Sequence, residues 1–284
     1  MAGILYRVTH LVSKYGMSFV FVFDGPPPRL KQEEIEKRRR LREKATREWK
    51  EALSAGNYEK AFSKAVMMNR LTGPMVQDAK KLLALLGVPL VQAPSEAESQ
   101  AAYMAVKGDV WGASSKDYDS LLFGAPRLVR YLTIYGREYL PSKGVSRPLT
   151  PELIVLSEFL SKHGISRSQL VDMAILVGTD FNRGIKGVGP KTALKLIKEH
   201  GRLEDLPVDV RSKVDGRYEE VRGIFLKPEV TSDYDARGAS LREDELYRFL
   251  CDEKGFSRVR VENAVNRMKE AHKEREQPDL GKWL

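Results

Sequence analysis

The sequence predicts an α/β fold, with a parallel sheet in its first half and a mostly helical second half. Three observations predict it. Short apolar, β-rich runs alternate with helical segments as far as about residue 148. The first three of those runs each give way to acidic residues within a few positions. Beyond Pro148 the strand-like runs stop and helix-capping residues recur.

Residues 4–14 (ILYRVTHLVSK) read as a helix. SFVFVF at 18–23 is apolar enough for a buried strand, and Asp24-Gly25-Pro26 ends it. A long polar helix covers about 29–54 and breaks near Gly56-Asn57, and a second covers about 57–71. Thr72-Gly73-Pro74 starts a third over 75–86, which Gly87 stops. VPLVQA at 88–93 is a strand, and Ser95 opens a helix running to about Lys107. Residues 109–115 lead into a strand ending before Asp117, and 128–140 read as a strand pair turning at Tyr135-Gly136. Thr150-Pro151 then caps a helix over 151–163, and Ser166 caps one over 167–177. Pro190 sits just inside a helix over 190–200. Residues 204–240 read as irregular, with Gly and Pro scattered through them; helices return at 242–252 and 257–274, and an unstructured tail follows.

With 284 residues, 42% of them hydrophobic, the chain can build one large α/β domain with additions, or two domains. Its single cysteine, Cys251, excludes an intramolecular disulfide framework and a cysteine-only zinc site. No apolar run approaches the roughly 18–20 residues a membrane span needs, and no signal peptide is seen, so a soluble intracellular protein is expected. The net charge of +9 is localised. Residues 29–50 hold ten Lys/Arg against five Glu, residues 182–202 hold six against one, and the rest is nearly neutral. Two basic patches suit a polyanion held at two places; two solvated helix faces would carry the same charge.

Ligands of open α/β sheets bind at the carboxyl ends of strands. Asp24 follows the first apolar run, Glu96 and Glu98 the second, and Asp117 and Asp119 the third; Asp180 follows the apolar helix Val171–Val177 and the break at Gly178. Hard divalent cations take oxygen ligands, and Mg²⁺ usually needs only a few carboxylates. Two such ions about 3.5–4 Å apart can activate a water and stabilise the leaving oxygen of a phosphodiester. Each acid also has a plainer use. Ser95 and Glu98 have capping-box spacing, Asp117 and Asp119 could cap a turn at Ser120–Phe123, and Asp24-Gly25 is a turn signal. Capping does not explain why acids recur at successive strand ends. An Asp-x-Asp after a strand also fits an aspartyl-phosphate phosphatase, which leaves the second basic segment without a role.

Ile185–Ala193 (IKGVGPKTA) lies between two helices. It lacks the Gly-Lys-Ser/Thr of a P-loop and the preceding strand of a dinucleotide fingerprint. It fits a helix–hairpin–helix, in which Gly187 and Gly189 allow the turn and backbone N–H groups face a DNA phosphate. Lys186, Lys191 and Lys195 surround it, and such contacts carry no sequence specificity. Lys31 and Arg38, seven apart, share a helix face that starts just after Asp24. In the tail, Gln277, Leu280, Trp283 and Leu284 have the spacing of a peptide that plugs a partner's pocket.

The segments FVFDGPPPRLK, LGVPLVQAPSEAESQAA, SSKDYDSLLFGAP, LVGTDFNRGIKGVGPKTALKLI, FLKPEV and FLCDEKGFS together resemble the archaeal and eukaryotic flap endonucleases, a family of structure-specific 5′ nucleases. The resemblance implies a parallel-sheet, PIN-like nuclease core over 1–148 with a helical arch at about 29–72. A helical region with the helix–hairpin–helix would follow over 149–274, and a sliding-clamp-binding tail over 275–284. It implies that Asp24, Glu96, Glu98, Asp117, Asp119 and Asp180 bind two Mg²⁺ ions, and that Lys31 and Arg38 stabilise phosphate charge. It also implies K⁺ at the helix–hairpin–helix, branched DNA with a 5′ flap as substrate, and a monomer that meets the replication clamp through QPDLGKWL. The roles implied are Okazaki-fragment maturation and repair, in the archaeal cytoplasm or nucleoid, or in the nucleus of a eukaryote. Chains of that family begin earlier, with a strand bearing a further metal-binding Asp, whereas the match here starts at about Gly3. The expectation is therefore an N-terminally incomplete core. Two readings stay open: a nuclease active once extended upstream, or a DNA- and clamp-binding module with impaired catalysis.

Overall fold

The computed structural model describes residues 1–68, 71–133, 137–140 and 145–276. In chain order the elements are α1 (Ala2–Tyr15), β1 (Phe21–Phe23), α2 (Gln32–Ser54), α3 (Tyr58–Met68), α4 (Gly73–Leu85), β2 (Leu90–Gln92), α5 (Ala97–Lys107), β3 (Ala113–Ser114), α6 (Asp119–Leu122) and β4 (Arg127–Arg130). There follow β5 (Arg137–Leu140), β6 (Val145–Pro148), β7 (Glu152–Val155), α7 (Leu156–His163), α8 (Arg167–Val177), α9 (Pro190–His200), α10 (Val208–Arg211), α11 (Tyr218–Leu226), α12 (Glu243–Tyr247) and α13 (Arg258–Glu276). A 3₁₀ turn, Arg29–Lys31, leads into α2, another, Leu203–Asp205, follows α9, and a π-helical stretch, Arg248–Glu253, continues α12.

The parallel pairing expected of the first half is present. β1 runs parallel to β2, with Phe21 opposite Leu90 and Phe23 opposite Gln92. β3 runs parallel to β4. Several elements depart from the sequence reading. Thr150-Pro151 does not open a helix: Glu152–Val155 is β7, which pairs antiparallel with β4 from Arg127↔Val155 to Arg130↔Glu152, and α7 starts only at Leu156. The apolar Leu153-Ile154-Val155 run follows the available sheet edge rather than its local helix signals. The expected strand pair within 128–140 is not one pair, since β4 bonds β3 and β7 while β5 pairs antiparallel with β6. The turn at Tyr135-Gly136 lies outside the described residues. Residues 204–240 hold two helices, α10 and α11, and α11 buries Val221 and Phe225 one turn apart.

The chain divides into two compact units, each discontinuous in sequence. The first comprises Met1–Phe23, Leu71–Gln92 and the chain from Ser232 onward. Its core joins Leu5, Val8 and Val12 of α1, Leu82, Leu83 and Leu85 of α4, and Val261, Ala264, Val265 and Met268 of α13. The buried positions of α13 recur every three or four residues, the stripe of a half-buried helix. The second unit comprises Asp24–Arg70 and Ala93–Thr231. Its core gathers Leu122 and Phe123, Val171, Ile175 and Leu176 of α8, Ala193 and Ile197 of α9, and Val221 and Phe225 of α11. The α8 start is fixed as its sequence demands, by a reciprocal capping box between Ser166 and Gln169. Pro190 occupies the first turn of α9, behind Gly189 as N-cap.

Candidate active site

The six carboxylates singled out by their positions, together with Lys31 and Arg38, all belong to the second unit. Backbone geometry brings the first strand end against the second. Gly25 donates its N–H to the Ser95 carbonyl at 2.6 Å. A Cβ on Gly25 would stand 2.4 Å from the Ala93 carbonyl oxygen, so only glycine allows this approach. Asp24 is thereby set at the N-terminus of α5, where its Oδ1 accepts the Ala97 N–H at 2.8 Å. The first turn of α5 is thus capped from outside. Its own N-cap, Glu96, makes no side-chain cap bond. Glu98 does not close a box with Ser95 but accepts a short hydrogen bond from the Ser115 hydroxyl. Tyr118, not Asp117 or Asp119, is the N-cap of α6, and no side chain caps it. The capping uses considered for Glu98, Asp117 and Asp119 are therefore absent, while Asp24, read from sequence only as a turn signal, is the residue that caps α5.

Asp180 is carried by a tight loop after α8. Asn182 donates to the Ile175 carbonyl at 2.7 Å, and the Thr179 hydroxyl accepts the Phe181 N–H at 3.0 Å. Gly184 closes the loop with φ +65°; a Cβ there would meet Val177 and Gly178 backbone atoms at 2.4 Å. The two cations enter this acidic ground from the start of α2. Lys31 Nζ donates to Glu96 at 2.5 Å and lies 3.4 Å from Asp180. Arg38 donates to Asp180 at 2.8 Å and, one turn back, to Glu34 at 2.9 Å.

The electrostatics are those of crowded anions. Glu98 is pushed up to about 7, first by burial and then by Asp119 and Asp117. Asp119 is pushed up to about 6, first by burial and then by Asp180 and Asp117. Burial works against the charge of Lys31, but Glu96 and then Asp180 outweigh it and hold the ammonium above its usual range. Among the described residues, no group of three His, Cys, Asp or Glu side chains is arranged to hold a metal ion as it stands. The donor set still fits a hard divalent cation. It is made of carboxylate oxygens, and burial followed by mutual repulsion raises the pKa of two of the groups, a penalty on their charged forms that a bound cation would relieve.

Asp180 also lines a groove of about 1340 Å³, with Lys37, Arg40, Lys44 and Arg47 of α2 and Lys213 and Arg217 outnumbering the other acids there, Glu33, Glu34, Glu36 and Asp215. Glu33 pairs with Arg183 at 3.1 Å and with Arg217 at 3.8 Å. The residues expected to form a helix–hairpin–helix lie on an exposed surface next to this groove, sharing Gly184 and Lys213 with it. Lys186, Gly187, Lys191 and Lys195 are exposed, while Ala193 and Ile197 behind them are fully buried. Gln277, Leu280, Trp283 and Leu284 lie outside the described residues. Sequence reasoning missed Ser115, Glu33 and Glu34. A hydroxyl two residues before an Asp is a turn signal that could have found Ser115, and the four-residue spacing to Arg38 could have found Glu34; nothing local marks Glu33.

Comparison with known proteins follows the same residues. The sequence matches the XPG N-terminal domain over residues 1–45 and the XPG I-region over 87–180. It is 46% identical to Flap endonuclease 1 of Pyrococcus abyssi over 285 aligned residues, covering all of this chain and 82% of the relative. Among solved structures it resembles the flap endonuclease-1 of Methanococcus jannaschii, with 39% identity and a TM-score of 0.72 over 96% of this chain and 82% of that one. The catalytic core of Rad2, solved in complex with a DNA substrate, shares the fold at 24% identity, with a TM-score of 0.67 over 94% of this chain and 84% of that one.

Proposed function

The chain belongs to the flap endonuclease family, and from that premise we propose that it is a structure-specific endonuclease that hydrolyses phosphodiesters of branched DNA carrying a 5′ flap, in replication and repair. One observation carries the reading. Acids from successive strand ends and from the loop after α8 are electrostatically coupled on one unit, with Lys31 and Arg38 set among them. Asp24, Glu96, Glu98, Asp117, Asp119 and Asp180 are the residues that would hold Mg²⁺, two ions in the family's manner. When bound, the metal supplies an activated water and neutralises phosphate charge.

The rest of the work falls to the chain. Lys31 and Arg38 exchange Glu96 and Asp180 for the oxygens of the scissile phosphate and stabilise the charge that builds there. The basic residues of the groove hold the single strand by its backbone. The N-terminus of α9, with Lys186, Gly187, Gly189, Lys191 and Lys195, grips the duplex phosphates, assisted by K⁺. The tail residues Gln277, Leu280, Trp283 and Leu284 dock on a sliding clamp. The protein works as a monomer inside the cell, in the archaeal cytoplasm or nucleoid or the eukaryotic nucleus.

The test is cleavage of a 5′-labelled flap substrate with Mg²⁺ against a chelated control. A single cut near the junction, leaving a 5′ phosphate, is expected. Release of inorganic phosphate from a small phosphomonoester with no DNA cut overturns the reading in favour of a phosphatase. The alternative is a DNA- and clamp-binding module with impaired catalysis. Tight flap binding with no cut at stoichiometric protein and saturating Mg²⁺ would select it. Removing residues 277–284 should abolish clamp affinity and leave basal cutting intact.

A further inference from the structure

Arg130 is a buried cation that the functional reading does not use. It is the last residue of β4, the central strand of its sheet, and only 6% exposed. All three of its guanidinium nitrogens donate hydrogen bonds. Nε donates to the Lys116 carbonyl at 2.9 Å. One terminal nitrogen donates to the Tyr118 hydroxyl at 2.6 Å and to Glu152 at 2.9 Å. The other donates to the Tyr131 hydroxyl at 2.5 Å. The same group stacks on both tyrosine rings, 4.0 Å from the Tyr118 centroid and 4.4 Å from that of Tyr131. Tyr131 is the one described non-glycine residue with positive φ, at 59°, a conformation that surrounding structure must enforce.

Two of these partners, Lys116 and Tyr118, flank Asp117. Tyr118 is also the N-cap of α6, whose first residue is Asp119. From the other side Ser115 accepts the Asp117 N–H at 3.1 Å while donating to Glu98. The short segment carrying both aspartates is therefore held at both ends by groups other than their carboxylates. A fork of five donors can hold a carbonyl, a hydroxyl and a carboxylate in one plane, which a lysine cannot do.

We propose that Arg130 is a positioning residue that sets Asp117 and Asp119 for divalent-cation binding by clamping the backbone at Lys116 and the side chain of Tyr118. The proposal rests on the reading of these acids as metal ligands, but not on cleavage. Its first readout is Mn²⁺ affinity by electron paramagnetic resonance on the full chain. Arg130→Met should weaken Mn²⁺ binding at least five-fold, and in the cleavage assay it should lower kcat ten-fold or more, with flap-DNA Kd changed less than three-fold. Glu152→Gln removes the surface-side ion pair without touching the 115–118 segment. It should leave Mn²⁺ affinity and kcat unchanged even if it lowers the melting temperature. Tyr118→Phe, at a half-exposed site, keeps the ring and loses one hydroxyl, and should weaken Mn²⁺ binding two- to three-fold in a chain that folds normally. Arg130→Lys should fail to rescue. Unchanged Mn²⁺ affinity in both Arg130→Met and Tyr118→Phe overturns the proposal, as does an equal loss in Glu152→Gln. If Arg130→Met does not fold, Tyr118→Phe decides alone. A wild-type chain that binds Mn²⁺ but cuts nothing overturns the nuclease reading and leaves the positioning role to be judged by binding.

Discussion

The two basic segments carry the same net charge, and the second unit holds them in opposite ways. Residues 182–202 stand on a hydrophobic pedestal, where Ala193 and Ile197 of α9 are fully buried beside α8 and α11. Along α2 the only buried residues are Ala45 and Ala52, and Ile35, Leu41 and Leu53 are exposed. The start of α2 is held instead by charge: Lys31 on Glu96 and Asp180, Arg38 on Asp180, and Glu33 on Arg183. Burial is indifferent to what else binds nearby. Ion pairs are exchangeable, because a phosphate or a divalent cation competes for the same partners. One patch is therefore seated by burial, and the other by ion pairs that a bound anion or cation can exchange.

The contrast can be broken first at the acids. Asp119→Ala should lower single-turnover cleavage by more than about 10³-fold, the scale of losing a group that acts in the transition state. Flap-DNA affinity measured in Ca²⁺ should stay within a few-fold, since the α9 grip is untouched; full cutting would refute the site. Next comes the difference in anchoring. Ile197→Ala should cost about 2–5 kcal/mol in denaturant unfolding, whereas Leu41→Ala should stay within about 0.5 kcal/mol. Comparable losses would mean that α2 is held by burial after all. Third, Arg38→Ala should reduce kcat about 10²–10³-fold with little change in the salt dependence of binding. Lys191→Ala combined with Lys195→Ala should instead lower the log–log salt slope of binding by about 2. Exchanged phenotypes would overturn the division of labour.

The smallest effect is on pH. Glu98 titrates near 7 when folded, above the ordinary 4.5, so the folded state binds more protons across that window. Stability of the metal-free protein should fall as pH rises from 4.5 to 7. Glu98→Gln should remove about 1–2 kcal/mol of that dependence. Identical pH–stability curves for the two proteins would count against the burial and crowding assigned to this carboxylate.

What could be read beforehand follows from how local each cause is. The Ser166 capping box, the Pro190 start of α9 and the placement of acids after strands are written within a few residues, and they appear in the structure as expected. β7 was not legible, because Thr150-Pro151 imitates a helix start and only β4, more than twenty residues away, makes 152–155 a strand. α11 was hidden by Gly216, Gly223 and Pro228, although Val221 and Phe225 had the right spacing. Asp24 as a cap for α5 and Arg130 as a clamp on 116–118 are contacts across the fold, and no window of sequence contains both partners.

The interleaving of the two units bears on how the chain comes into being. The core of the first unit needs α1 to meet α13, separated by nearly the whole described sequence, so its closure is a long-range event with a high entropic barrier. During synthesis α1 emerges long before α13, so Leu5, Val8 and Val12 lack the α13 side of their core, while the second unit has every one of its residues available by Thr231. The acidic site can therefore be assembled on a nascent chain before the N-terminal helix has found its partner. Until α13 arrives, the part of the α1 face that it will cover is apolar surface open to aggregation or to a chaperone.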